Sequence, residues 1–172
     1  MKKGGTGGGH TITGLRFEER IALKTVLDSI KGYSINGNDV YFNDEKVAEI
    51  YRKNEIYKKL LEPKGIDYRG LITKRLLPDD SILVLSKNTL FIIEIKSQEG
   101  TGSVDEKLQT CDFKKKQYQK LMKPLGIAVE YVYVLNDWFR KDEYKDVMEY
   151  IKSVGCHYFF NEIPLEFLGL PF

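Results

Sequence analysis

Glu94 and Lys96 stand at the end of the run Leu90-Phe91-Ile92-Ile93, where a strand is expected to be buried and ionised side chains are expensive. Alternation along a strand puts Phe91, Ile93 and Ile95 on one face and Glu94, Lys96 and Gln98 on the other. One face is then apolar, and the other presents a carboxylate, an ammonium and an amide in a row. The D/E-x-K spacing alone carries no weight, because it occurs six times, starting at Asp44, Glu62, Glu94, Asp105, Asp112 and Glu143. Most of these read as solvated surface charge; the setting of Glu94 differs. Fifteen residues before it stands Asp79, directly after Pro78 and followed by a second aspartate, Asp80. The β-rich runs Ser81 to Leu85 and Thr89 to Ile95 flank Ser86-Lys87-Asn88 and predict a hairpin that folds the Asp79/Asp80 end towards the Glu94/Lys96 end. Two carboxylates on adjacent strands can fix one Mg²⁺ (or Mn²⁺ in its place) through hard oxygen ligands, leaving positions for water and a phosphate oxygen. A lysine beside them can orient the attacking water and offset charge developing on phosphorus. Phosphodiester hydrolysis needs that combination.

The elements that must position these residues are legible to different degrees. The opening MKKGGTGGGHT is glycine-rich and cannot contribute to a core, so residues 1–13 read as a flexible arm and 14–172 as a single domain. Apolar positions Leu15, Ala22, Val26 and Ile30 form a helical stripe over Leu15 to Ile30, with Gly32 as its stop. Val40 to Ile50 suggests a hairpin, and Asn54 to Leu61 a short helix opened by an Asn cap and closed by Pro63. Leu71 to Leu77 is a short strand candidate interrupted by Pro78. Gln109 to Met122 is a Lys-rich helix ending before Pro124 and Gly126, and Ile127 to Leu135 is apolar nearly throughout, hence a buried strand. Phe139 to Val154 has Tyr144, Val147, Met148 and Ile151 at helical spacing, and Cys156 to Phe160 is a last strand before an apolar tail. This order predicts an α/β (α+β) fold with a mixed central sheet flanked by helices.

Composition narrows the function classes. The 172 residues are 42% hydrophobic and 30% charged, enough to bury a core, and 27 Lys+Arg against 25 Asp+Glu leave a formal charge of +2. That balance excludes a polybasic binder, although metal-binding carboxylates would mask part of a basic surface in the sum. The apolar runs are too short to span a bilayer, no secretory h-region follows the N-terminal lysines, and Cys111 and Cys156 fit no zinc spacing with the histidines; no membrane association and a cytoplasmic location are expected. Gly4 to Thr11 is one residue away from a phosphate loop, but His10 replaces the lysine and no strand can precede it, so no nucleotide cofactor is expected. His10 would then belong to a disordered tail or to an arm that orders on DNA. Lys114, Lys115 and Lys116 read as a solvated helix face or as contacts that track a phosphate backbone. Tyr131, Tyr133, Trp138 and Tyr144 read as core or partly buried surface and His157 as a core histidine.

Pro78-Asp79 followed by Glu94-Ile95-Lys96, framed by an αβββαβ order, resembles the PD-(D/E)xK nuclease superfamily, and within it the type II restriction endonucleases. Gly14-Leu15-Arg16-Phe17-Glu18 is similar to the GxxFE opening of that superfamily's first helix, whose glutamate joins the active site. Val104 to Leu121 is similar to the segment after the catalytic strand, so the likeness covers about Gly14 to Leu135. The resemblance implies a restriction-endonuclease-like core, Mg²⁺ held by Asp79 and Glu94, water aligned or activated by Lys96, and Glu18 completing the site. Asp80 replaces Asp79 if the hairpin register shifts by one, and Glu19 lies near enough the helical stripe to replace Glu18. Gln98 and Gln117 are candidate supporting amides. The implied substrate is double-stranded DNA, cut to 5′-phosphate and 3′-hydroxyl ends by a homodimer suited to palindromic sites. A junction resolvase or repair nickase, and a catalytically inactive DNA- or protein-binding module, are the alternative readings.

Overall fold

The computed structural model describes residues 14–17, 22–100 and 102–172. The glycine-rich arm with His10, and both Glu18 and Glu19, lie outside the described residues. In chain order the elements are β1 (Gly14–Arg16), α1 (Leu23–Asp28), β2 (Tyr33–Asn36), β3 (Asp39–Phe42), β4 (Glu45–Ile50), β5 (Asp80–Val84), β6 (Thr89–Lys96), α2 (Val104–Leu108), α3 (Cys111–Met122), β7 (Ala128–Leu135), α4 (Lys145–Ser153), β8 (His157–Phe160), β9 (Glu162–Pro164) and α5 (Leu165–Leu168). Strands β2 to β8 form one seven-stranded sheet in sequence order, while β1 pairs with β9 in a separate two-stranded ladder. Neighbours are antiparallel from β2 through β6 and parallel from β6 through β8. The protein is thus a mixed α/β structure whose sheet is flanked by helices. Among the described residues no helix is long and apolar enough to cross a membrane.

Local chemistry accounts for the antiparallel half. Asn43 and Asp44 both take positive φ, the hairpin turn whose twist matches its strands, and Asn88 does so between β5 and β6. From β6 onward the chain must cross over to reach a parallel neighbour, and α2 with α3 makes the first crossover, α4 the second. Strand β6 is therefore covered on both faces. Leu90 and Ile92 join Leu108, Cys111, Tyr118, Leu121, Tyr131 and Tyr133 on one side, and Phe91 and Ile93 join Leu23, Leu27, Ile82, Val132, Leu165 and Leu168 on the other. The expected division into an apolar and a polar face holds only for the last part of the strand.

Several expected elements differ. Among the described residues the helix expected over Leu15 to Ile30 is confined to α1, because Gly14–Arg16 is extended and pairs with β9, Leu15 opposite Ile163. Leu15 and Phe17 are buried with Arg16 exposed between them, a period of two that a helix cannot produce. Leu71 to Leu77 is not a strand: the side of β4 that it would need is taken by β5. Leu71 and Ile72 N–H donate instead to Tyr68 C=O, and the Tyr57 hydroxyl accepts from Leu76 N–H at 2.9 Å and donates to Leu76 C=O at 2.8 Å. Ile56–Leu61 is a π-type helix with no side-chain cap, and Pro63 continues it into a 3-10 turn, so that Gly65 and not Pro63 ends the segment. Two 3-10 turns, Asp137–Arg140 and Asp142–Tyr144, replace the first part of the helix expected from Phe139. Strand β2 was not expected from the sequence.

Gly32 joins α1 to β2 at φ +94°, and a Cβ there would lie 2.7 Å from the Phe42 ring. Gly32→Ala should therefore destabilise the fold by about 1–3 kcal/mol, through backbone strain and displacement of that ring. Gly37→Ala, at φ +63° with open space around it, should lose less. Urea unfolding midpoints of the two variants check this order.

Candidate active site

The β5–β6 ladder sets Asp80 opposite Ile93, which brings Asp79, one residue earlier, level with Glu94. Asp79 is held there by an N–H donated from Ile95 to its Oδ2 at 3.1 Å. Lys96 Nζ lies 2.7 Å from Glu94 Oε2 and 3.5 Å from Asp79 Oδ2. Residues fifteen positions apart in the chain thus meet at the end of a hairpin. Glu94 is the most enclosed, its side chain only 8% exposed, while that of Asp79 is 44% exposed and opens the cluster to solvent. Burial works against the Lys96 ammonium, but Glu94 and Asp79 together outweigh it and hold its pKa above the ordinary lysine value.

Asp80 goes to the other face of the sheet. Its Oδ2 accepts the Leu23 N–H at 3.1 Å, at the start of α1, and its Oδ1 lies 3.2 Å from Arg52 Nε. Burial pushes the Asp80 carboxyl up to about 6, against the opposing pull of the Leu23 N–H and the Arg52 guanidinium. Neighbouring aspartates therefore have separate environments, one in the Lys96 cluster and one tying β5 to α1.

The remaining candidates divide. Gln98 lies past the end of β6, and its Nε2 donates to Gly100 C=O at 2.6 Å, bracing the following loop. Asn136, after β7, clamps the Gln98 backbone, accepting from its N–H at 3.3 Å and donating to its C=O at 2.9 Å. Gln117 is buried on α3. The lysine run points three ways: Lys114 Nζ is 3.9 Å from Glu94 Oε1, Lys115 bonds Glu130 Oε2 at 3.0 Å and Gly155 C=O at 2.6 Å, and Lys116 pairs with Asp112 at 2.8 Å. Lys114 is the site residue that the sequence reading did not separate from its neighbours. A signal existed, because Cys111, Lys114, Tyr118 and Leu121 fall at helical spacing and the three others are buried. Gly14–Arg16, read from the GxxFE likeness as a helix opening, is strand β1.

Among the described residues no group of three or more His, Cys, Asp or Glu side chains is placed to hold a metal ion. Two carboxylates do converge. That donor set fits Mg²⁺, which is commonly held by one or two carboxylates and keeps several waters or phosphate oxygens. Comparison of the chain with protein-family models, with curated proteins and with solved structures finds no match.

The Asp80 environment has a pH signature. Its folded pKa of about 6 lies above the ordinary 3.8, so the protonated form is the one the fold favours. Its contribution is fully present below about pH 4 and is lost as pH rises through about 6, on the order of 1–3 kcal/mol. In urea unfolding from pH 4 to 8, the stability of wild type relative to Asp80→Asn should fall across that window. A constant difference would contradict the assigned environment.

Proposed function

We propose that this protein is a Mg²⁺-dependent endonuclease that hydrolyses phosphodiester bonds of double-stranded DNA, with a restriction-endonuclease-like core and a type II, sequence-specific mode of cutting. The observation that carries the reading is the convergence of Asp79, Glu94 and Lys96 within 3.5 Å contacts at the open end of the β5–β6 hairpin. Exposed lysines lie close to this end of the chain's path: Lys53, whose N–H donates to Pro78 C=O at 3.1 Å, and Lys74, in the segment leading into Pro78-Asp79. Such groups suit a phosphate backbone and add affinity without reading sequence.

Asp79 and Glu94 would hold the cation, whose chemistry is to polarise a phosphate oxygen and lower the pKa of a bound water. The chain's own part is positional and electrostatic. The Ile95 N–H fixes Asp79, the enclosed walls of β6 and α3 restrict Glu94, and Lys96 presents an ammonium beside both, where it can orient water and offset charge on phosphorus. Water adds to phosphorus as the bond from phosphorus to the 3′ oxygen breaks. One water proton passes to solvent and the 3′ oxygen takes one up, leaving 5′-phosphate and 3′-hydroxyl ends. Glu18, or Glu19 in its place, remains the proposed third carboxylate, and Lys115, Lys116 and His10 remain proposed DNA contacts. Action as a cytoplasmic homodimer belongs to the same reading.

Digestion of supercoiled plasmid with Mg²⁺, followed by sequencing of the ends, should give discrete repeated termini and no cutting in EDTA. A preference for branched substrates would indicate a resolvase, and binding without cutting an inactive module. Glu94→Ala and Lys96→Ala should abolish cleavage while DNA binding survives, since groups that act in the transition state affect rate more than affinity. Asp79→Asn should lose several orders of magnitude in rate and Asp80→Asn far less. The exposed carboxylates Glu62 and Glu143, in other D/E-x-K matches, should tolerate amide substitution at nearly full rate. Wild-type cleavage by Lys96→Ala would overturn the assignment.

A further inference from the structure

We propose that Lys114 is a second catalytic lysine of this site, contacting the reacting phosphate from α3 while Lys96 does so from β6. The inference rests on the endonuclease reading and assigns a role to a residue that the D/E-x-K motif does not contain. Glu94 is bracketed by two ammonium groups, Lys96 at 2.7 Å from Oε2 and Lys114 at 3.9 Å from Oε1. The first is a hydrogen-bonded pair. The second is too long for one, so Lys114 is attracted to the carboxylate without being committed to it. Among the described residues Glu94 is the acidic partner within 4 Å of Lys114, whereas Lys115 and Lys116 are engaged with Glu130 and Asp112. The Lys114 side chain is 27% exposed, so it borders the enclosed carboxylate on one side and solvent on the other.

Charge counting gives the reason for a second lysine. Asp79 and Glu94 contribute −2, Lys96 and Lys114 contribute +2, and these four groups are neutral together. A bound divalent cation makes the cluster +2. A phosphodiester carries −1 and gains a further negative charge as water adds, so the second lysine brings the cluster closer to the charge of the transition state, and the third carboxylate proposed at Glu18 increases that need. The same arrangement sets Lys114 against the cation, because both are drawn to the Glu94 carboxylate and repel each other. Lys114 should therefore weaken cation binding while accelerating the reaction, a combination that neither a structural lysine nor a distant backbone contact produces.

The experiment measures Mn²⁺ binding by the loss of its free electron paramagnetic resonance signal, together with single-turnover plasmid cleavage at saturating Mg²⁺. The proteins are wild type, Glu94→Gln, Lys114→Gln, Lys114→Arg and, as a control on the exposed side of α3, Lys120→Gln. Lys114→Gln should bind Mn²⁺ tighter by about threefold to tenfold and cleave slower by about a hundredfold. Lys114→Arg should restore the wild-type cation affinity and most of the rate, and Lys120→Gln should match wild type in both. Unchanged Mn²⁺ affinity in Lys114→Gln overturns the proposal, whatever happens to the rate, because a slower reaction with weaker DNA binding alone marks a backbone contact. A rate within about twofold of wild type in Lys114→Gln also overturns it, since transition-state groups are worth far more. If wild type binds Mn²⁺ no better than Glu94→Gln, the metal-site reading itself fails and this proposal with it. If Glu94-dependent binding is intact and Lys114→Gln does not alter it, only the role of Lys114 fails.

Discussion

A carboxylate almost withdrawn from water has to be compensated at short range, and the Glu94 side chain is in that position near the end of a strand covered on both faces. Removing one partner of a buried ion pair costs about 3–5 kcal/mol, because the remaining charge is left uncompensated. Lys96 and Lys114 supply the compensation, one from the same strand and the other from the helix laid across it. The position of α3 on the sheet and the charge balance around Glu94 are therefore coupled. The helix brings Tyr118 and Leu121 into the core on one end of its buried stripe and Lys114 to the carboxylate on the other.

The sheet's change from antiparallel to parallel pairing determines what gathers at this end. In the β5–β6 hairpin the start of β5 meets the end of β6, which joins Asp79 to Lys96. In the parallel β6–β7 pair the two strands end together, which places Asn136 where it can clamp Gln98 just beyond the cluster. One hairpin and one crossover thus build the cluster and close the chain behind it. Pleating separates the adjacent aspartates, so that Asp79 serves the charged cluster and Asp80 anchors α1 through Leu23. A single-residue slip of β5 in one direction would put Asp80 into the charged cluster and leave Ser81 against Leu23 and Arg52.

The hairpin, the buried strand β7 and the two helices behind them were legible because their signals are local. Val, Ile and aromatic runs in Ser81 to Leu85, Thr89 to Ile95 and Ile127 to Leu135 need no distant information, and Asn88 supplies the turn. Strand β1 was not legible, since three residues become a strand only when Glu162–Pro164 arrives from the far end of the chain to complete the ladder. Leu71 to Leu77 has the composition of a strand but no free edge to join. Leu76 bonds a tyrosine hydroxyl instead, and Leu71 and Ile72 donate to the Tyr68 carbonyl.

The sequence by itself determined that a carboxylate and a lysine would share one face at the end of a buried strand, with an aspartate at the head of its partner. Alternation and a short turn leave little freedom there. It left open which aspartate would join the cluster, because a one-residue change of register puts Asp80 in place of Asp79, and that depends on the whole β4–β5–β6 ladder. It also left open which of three successive lysines would reach Glu94. Consecutive helical residues point about 100° apart, so only the packing of α3 on β6 and β7 selects Lys114 and turns Lys115 to Glu130 and Lys116 to Asp112. Strand pairing and helix rotation are settled by contacts between distant segments, and those contacts exist only in the folded chain.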